Sequence, residues 1–280
     1  MLVIGAPRSG TTLLAGLLSA GKHASPMLPE CTYITQIIRH YYNFLNYSDR
    51  QRFAAYAIDE KTLAKMYRSM VDTMLVTVES HFKKLDYRYL ILKDPELTLL
   101  VEQIPIFFGE YCKIVCVVRD PRAVIASMQE VNRKKSKMLW SELRACRSLY
   151  ALKNFARHKF LERELLTNTF TYYSAVHESD LYKNGDLHIV SYEKIVSRNE
   201  DEFKNLENYL GFSVGRDGFG EAFFDFDRTD PTFSSGYGKT IQPASTNFVK
   251  KLSRRKRVKI QAVFSGLNTI YKWWGNDRVY

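Results

Sequence analysis

Leu2-Val3-Ile4-Gly5-Ala6-Pro7-Arg8-Ser9-Gly10-Thr11-Thr12-Leu13-Leu14 is a short apolar strand running into a glycine loop and then into a helix. Gly5 and Gly10, with Thr11-Thr12 behind them, have the spacing of a phosphate-binding loop, in which backbone N–H groups and a helix N-terminus surround an anion. One position departs from that pattern. Thr11 stands where nucleotide-splitting loops carry the lysine that meets the β- and γ-phosphates. The stretch therefore predicts an anion cradle that does not perform ordinary ATP or GTP hydrolysis, with Arg8 supplying positive charge from inside the loop.

Further strand-like runs lie at Tyr87 to Leu92, Lys113 to Val118 and Leu187 to Ser191, separated by helical patterns. Helices are expected at Thr11 to Ser19, Tyr33 to Leu45, Glu60 to Lys84, Pro121 to Lys135, Ser141 to Leu166 and Phe203 to Leu210, and from about Thr246 to Trp273. Ser48, Asp59 and Ser141 are the expected N-caps. Strands alternating with helices predict an α/β fold, a parallel sheet between two helical layers. A single domain over residues 1–280 is the simplest arrangement, with a loose lid at 225–247 and a basic helix at 248–274 closing the chain.

The 280 residues are 45% apolar, ample for a buried core. A net charge of +11 and a pI near 9.4 favour anionic partners. Cys31, Cys112, Cys116 and Cys146 have no zinc-ligand spacing and are read as reduced and structural, Cys112 and Cys116 within a core strand. No apolar run approaches the roughly 20 residues that span a bilayer, and no secretory signal precedes Leu2. These features predict a cytoplasmic enzyme of bacterial type. The histidines show no metal-ligand pattern, and no catalytic metal is expected.

Pro7-Arg8-Ser9-Gly10-Thr11-Thr12 resembles the 5′-phosphosulfate loop of sulfotransferases that use 3′-phosphoadenosine 5′-phosphosulfate (PAPS). A second segment, Ile114 to Met128 around Arg119-Asp120-Pro121-Arg122, resembles the strand-to-helix element that holds the nucleotide 3′-phosphate in that family. The resemblance covers most of residues 2–250 and implies a P-loop-like sulfotransferase fold. It also implies PAPS as co-substrate and adenosine 3′,5′-bisphosphate (PAP) as product, and a Golgi-lumenal alternative if an N-terminal anchor has been removed. Arg8, Ser9, Gly10, Thr11, Thr12 and Leu13 would bind the phosphosulfate, and Arg119 and Ser127 the 3′-phosphate. Gly236-Tyr237-Gly238-Lys239-Thr240 falls where relatives carry a lid, which makes Lys239 a further nucleotide ligand. Arg122 is left between the nucleotide and Glu130.

Lys93 closes Leu90-Ile91-Leu92 at the carboxyl end of a strand, where open α/β sheets bind ligands. Carbohydrate and tyrosyl-protein relatives have a Lys-Asp-Pro-like element there, which implies that Lys93 reaches the transferring sulfonate, catalytic with Arg8. Glu30, in the loop after the first helix, is the candidate base for the acceptor, and its alternative is an acid at a helix N-terminus. Tyr192-Glu193, within Ser191 to Ile195, matches an element after the fourth strand and is read as structural. The aromatic patches around Tyr41-Tyr42 and Tyr172-Tyr173 are read as core rather than sugar platforms.

The expected activity is therefore sulfonate transfer from PAPS to a hydroxyl on a glycan or glycolipid, or on a peptide tyrosine. The run Lys250 to Arg257 could hold an anionic acceptor or bring the protein to a membrane surface, and nucleic acid is not expected. Two alternatives belong to other classes: a kinase or nucleotidase, for which the loop lysine is missing, and a non-catalytic basic binding module.

Overall fold

The computed structural model of the protein describes residues 1–46, 59–82, 87–109, 111–146, 152–153, 155–157, 164–216 and 248–275. Ser48, the 225–247 lid and Lys239 lie outside these residues. Four parallel strands, β1 (Leu2–Gly5), β2 (Leu92–Lys93), β3 (Ile114–Val118) and β4 (Leu187–Ser191), form one sheet in the order β2-β1-β3-β4. Leu2 pairs with Leu92 on one side and with Ile114 on the other. The chain thus leaves β1, pairs first on one edge and then on the other, which puts a topological switch point beside the loop that follows β1.

Alternate strand residues point to opposite faces, and the core divides accordingly. Leu2, Ile4, Ile114, Cys116, Val118 and Leu187 pack on one face, while Val3, Val115, Val117 and Val190 pack on the other. The second face is covered by α1 (Thr11–Ser19) and by the helix Glu200–Leu210, through Leu14, Leu17, Phe203 and Leu206. The first is covered by α2 (Thr32–Asn46), α3 (Glu60–His81), a 3₁₀ segment Pro95–Gln103, α4 (Ile104–Phe108), α5 (Pro121–Cys146) and α6 (Leu165–Glu178). The α/β architecture expected from the sequence is the one found.

Several boundaries differ for identifiable reasons. Residues 87–91 are not a strand alongside β1: the N–H groups of Arg88 and Tyr89 donate to His23 O, and Ser25 N–H donates to Tyr89 O, so this segment is held by the loop after α1. That shortens β2 to two residues and puts Lys93 inside it. The helix expected to end at Lys135 runs on to Cys146, because no Gly or Pro follows Pro121 to stop it, and Ser141 is interior rather than an N-cap. A separate helix, α6, carries Tyr172 and Tyr173, both buried. The single C-terminal helix is instead three pieces, Phe248–Lys251, Arg254–Val263 and Ser265–Tyr271. Ser253 caps the second, accepting from Lys256 N–H, which is a local alternative to continuous helix. Cys112 lies outside the strand, whereas Cys116 is buried in β3, and both are free thiols, as is Cys31.

Candidate functional site

Each strand delivers one part of the site at its carboxyl end. After β1 the chain turns at Gly5, whose φ of +141° and N–H donated to Thr98 Oγ1 at 2.8 Å set the loop's departure from the sheet. Arg8 adopts φ +73°, a left-handed conformation rarely taken by a residue with a side chain. It is held there from both ends: its carbonyl accepts from the Arg119 guanidinium at 3.1 Å, and its own Nε donates to Ser127 Oγ at 3.1 Å. Three candidates drawn from distant parts of the sequence therefore meet at one residue. Burial, and after it the neighbouring Arg119 charge, lower the pKa of the Arg8 guanidinium from its ordinary value.

Helix α1 begins behind Gly10, which is left-handed at φ +112° and gives the helix no side-chain cap. The N–H groups of Thr11, Thr12 and Leu13 have no partner within the helix, as at any helix start. Ser9 donates its N–H to Ala6 O, and its hydroxyl faces Gly5, where an added Cβ would lie 2.9 Å from it. That hydroxyl, wholly buried, has no hydrogen-bond partner among the described residues.

At the end of β2, Lys93 is almost wholly buried, 4% exposed, with its ammonium 3.2 Å from Thr12 Oγ1 and 2.5 Å from Glu30 Oε1. The charge missing at Thr11 thus returns through space from a neighbouring strand. Glu30 is the more exposed partner and is kept close by its neighbour, since Cys31 N–H donates to Lys93 O at 3.0 Å. Burial pushes the Cys31 thiol up to about 12. Asp94 accepts from Thr35 at 2.6 Å and caps the 3₁₀ segment through Glu96 N–H at 2.9 Å, so the Lys-Asp-Pro element fastens β2 to α2.

Arg119 follows β3 and is fixed by two tyrosines. Tyr173 hydroxyl donates to its carbonyl, and its guanidinium lies 4.0 Å from the centroid of the Tyr192 ring. Tyr192 follows β4 and also abuts the loop: a Cβ on Gly10 would come within 2.4 Å of its ring. Glu193 accepts from Asp120 N–H at 2.9 Å, and burial raises its pKa. Asp120 grips Arg122 through both carboxylate oxygens, at 2.6 to 3.0 Å, and Arg122 stacks on Phe248 and Trp274. Arg122, left by the sequence between the nucleotide and Glu130, pairs with Asp120. Tyr192 and Thr98 are the contributors that sequence reading passed over, Thr98 without any signal and Tyr192 as a merely structural residue.

The sequence model of the sulfotransferase family matches residues 1–215. The chain belongs to the sulfotransferase family. Among solved structures it is similar to the sulfotransferase STF9 from Mycobacterium avium, at 10% identity over 99% of this chain and 78% of that one, with a TM-score of 0.51. It is also similar to the sulfotransferase domain of the Synechococcus PCC 7002 olefin synthase, at 17% identity over 94% and 93% of the two chains with a TM-score of 0.49. A third is the sulfotransferase domain from the curacin biosynthetic pathway, at 14% identity over 95% and 96%, with a TM-score of 0.47. At such identities the likeness to STF9 speaks to the fold alone. No curated protein matches the sequence. Membership of this family makes the protein a sulfotransferase, and among the described residues no helix is long and apolar enough to cross a membrane.

Proposed function

We propose that this sulfotransferase moves a sulfonate from PAPS to an acceptor hydroxyl on a glycan or glycolipid, with a peptide tyrosine as the next acceptor class. The observation that carries the reading is the position of Lys93, a buried ammonium set against Thr12 at the mouth of a loop that lacks its own lysine. The site also fits an anion of this kind. Arg8, Lys93 and Arg119 gather at one helix start, and the buried Nε of Arg119 has no hydrogen-bond partner among the described residues. Arg8 to Leu13, including the unpartnered Ser9 hydroxyl, and Lys93 would hold the phosphosulfate, and Arg119 with Ser127 the 3′-phosphate.

PAPS supplies the sulfonate on an anhydride oxygen, and its departure leaves PAP. Glu30 would take the acceptor proton as the new S–O bond forms. Lys93, Arg8 and the loop N–H groups would neutralise the charge left on the 5′-phosphate oxygen as the old S–O bond breaks. One such donor contributes about 3 to 4 kcal/mol. The Glu30 and Lys-Asp-Pro pattern supports the carbohydrate and tyrosyl acceptors over small phenols.

Calorimetric titration with PAP beside ATP, each with and without Mg²⁺, tests the donor. Micromolar, metal-independent binding that requires the 3′-phosphate is expected, and preference for ATP with Mg²⁺ would overturn the reading. Glu30→Gln, which keeps an oxygen facing Lys93, should lower transfer from labelled PAPS by about 10²- to 10⁴-fold at unchanged PAP affinity. Full activity in that variant removes Glu30 from the base role.

A further inference from the structure

The chain's positive charge is concentrated in two stretches that do not include the cations at the loop after β1. Seven of the ten residues Lys250 to Lys259 and four of the five residues Arg133 to Lys137 are basic, and neither stretch contains an acid. Without these eleven the chain would hold thirty Lys and Arg against its thirty Asp and Glu, so they account for the whole excess of +11. The two stretches belong to packed elements, since the C-terminal helices lie against α5. Glu130 on α5 lies among their charges: it bonds Lys251, and Lys251, Lys134 and Arg133 all hold its carboxyl below the usual range. Apart from the Lys251–Glu130 pair, these cations make no ion pair among the described residues.

Arg8, Lys93 and Arg119 are not among these eleven cations, and each of the three has its own partner. The helix Arg254–Val263 turns Ile260 inward, to 3% exposure. Its outward face mixes Arg255 and Lys259 with Ala262 and with Val258 and Val263, each valine 38% exposed. Val249 and Ile270, on the flanking helices, are 48% and 54% exposed. A soluble polyanion would use the cations and leave these apolar groups in water. A lipid surface uses both, taking the charges at its headgroups and small apolar side chains at the acyl boundary.

We propose that this face is a docking surface for an anionic lipid bilayer, formed by the exposed side of Arg254–Val263 together with Arg133 to Lys137 of α5. Ser127 lies on the same helix, about 9 to 15 Å along the axis from Arg133 to Lys137 at about 1.5 Å per residue. A docked molecule therefore carries the Ser127 end of its nucleotide site close to the bilayer. The docking itself does not depend on which acceptor is used.

Co-sedimentation of the full chain with vesicles tests it, using pure phosphatidylcholine and a 7:3 mixture of phosphatidylcholine and phosphatidylglycerol. Binding to the mixture alone is expected, falling steeply between 0.05 and about 0.5 M NaCl as the charges are screened. The triple substitution Arg254→Gln, Arg255→Gln, Lys259→Gln should lower the partition coefficient about 100-fold, and Val258→Ser with Val263→Ser should lower it by a smaller factor. Both variants should bind PAP like the parent, which shows that fold and nucleotide site are intact. Equal binding to both vesicle types, an unchanged partition in the triple variant, or binding only to a soluble acidic oligosaccharide would overturn the proposal.

Discussion

Two regions of this molecule are rich in positive charge, and they use it in opposite ways. At the carboxyl end of the sheet, each cation has a fixed partner: Arg8 on Ser127, Lys93 between Thr12 and Glu30, Arg119 between Arg8 O and the Tyr192 ring. On the C-terminal helices and the middle of α5, the cations are mostly exposed, and Lys251 alone among them is seen paired. The first arrangement makes charge a matter of geometry, so that losing one group should matter more than losing net charge. In the second, charge acts as a field, graded by count and screened by salt.

The largest expected effect tests the geometric side. Lys93→Met removes the ammonium while retaining length, and should cut turnover by about 10²- to 10³-fold in a labelled-PAPS assay. Glu30 is exposed enough to be rehydrated once its partner is gone, so the thermal midpoint should move little. Lys93→Arg should not rescue activity, because a larger planar guanidinium does not fit a slot only 4% exposed. A turnover within threefold of the parent would show that this lysine is ordinary strand packing.

Gly10→Ala should follow in size. The added methyl would sit 2.4 Å from the Tyr192 ring on a residue at φ +112°, so either the loop or the ring must move. Strain of about 1 to 3 kcal/mol corresponds to roughly a five- to 150-fold loss of PAP affinity. Unchanged affinity would mean that Tyr192 is free to withdraw. A more selective variant is Tyr192→Leu, which takes away the ring face beneath Arg119, a contact of about 0.5 to 2 kcal/mol. PAP binding should weaken by about two- to 30-fold while binding of AMP, which lacks the 3′-phosphate, stays level, and Tyr192→Phe should behave as the parent. Equal losses for both nucleotides would assign Tyr192 to general packing.

These residues also mark how far the sequence could be read. The glycine frame, the helix start at Thr11 and the ends of β3 and β4 follow from patterns inside a few consecutive residues, and they stand where expected. Lys93 and Glu30 could be nominated singly, but their contact joins residues 63 apart and depends on how the loop after α1 folds over β2. Sequence gives no such distance. Tyr192 was visible as part of a motif, yet its service to Arg119 and Gly10 depends on β3 and β4 lying side by side. The break in the C-terminal helix is not legible in the sequence, because Ser253, one serine in a basic run, gives the backbone a cap in place of another turn.

The smallest effect lies where the two regions meet. Glu130 is on α5 between Ser127 and the basic stretch, and the hydrogen bond from Lys251, helped by the charges of Lys134 and Arg133, lowers its pKa below the ordinary value of 4.5. A carboxyl more acidic in the folded than in the unfolded chain adds stability above its unfolded value, and that contribution fades as pH falls through the lower, folded one. Glu130→Gln should therefore lower the melting temperature slightly at pH 6 to 7, and the two proteins should converge near pH 3. Since both side chains of the pair are more than a third exposed, at 46% and 37%, added salt should shrink the difference as well. A gap that persists unchanged at pH 3 and in high salt would place Glu130 with the geometric region, as a packed side chain rather than a counter-charge to the basic face.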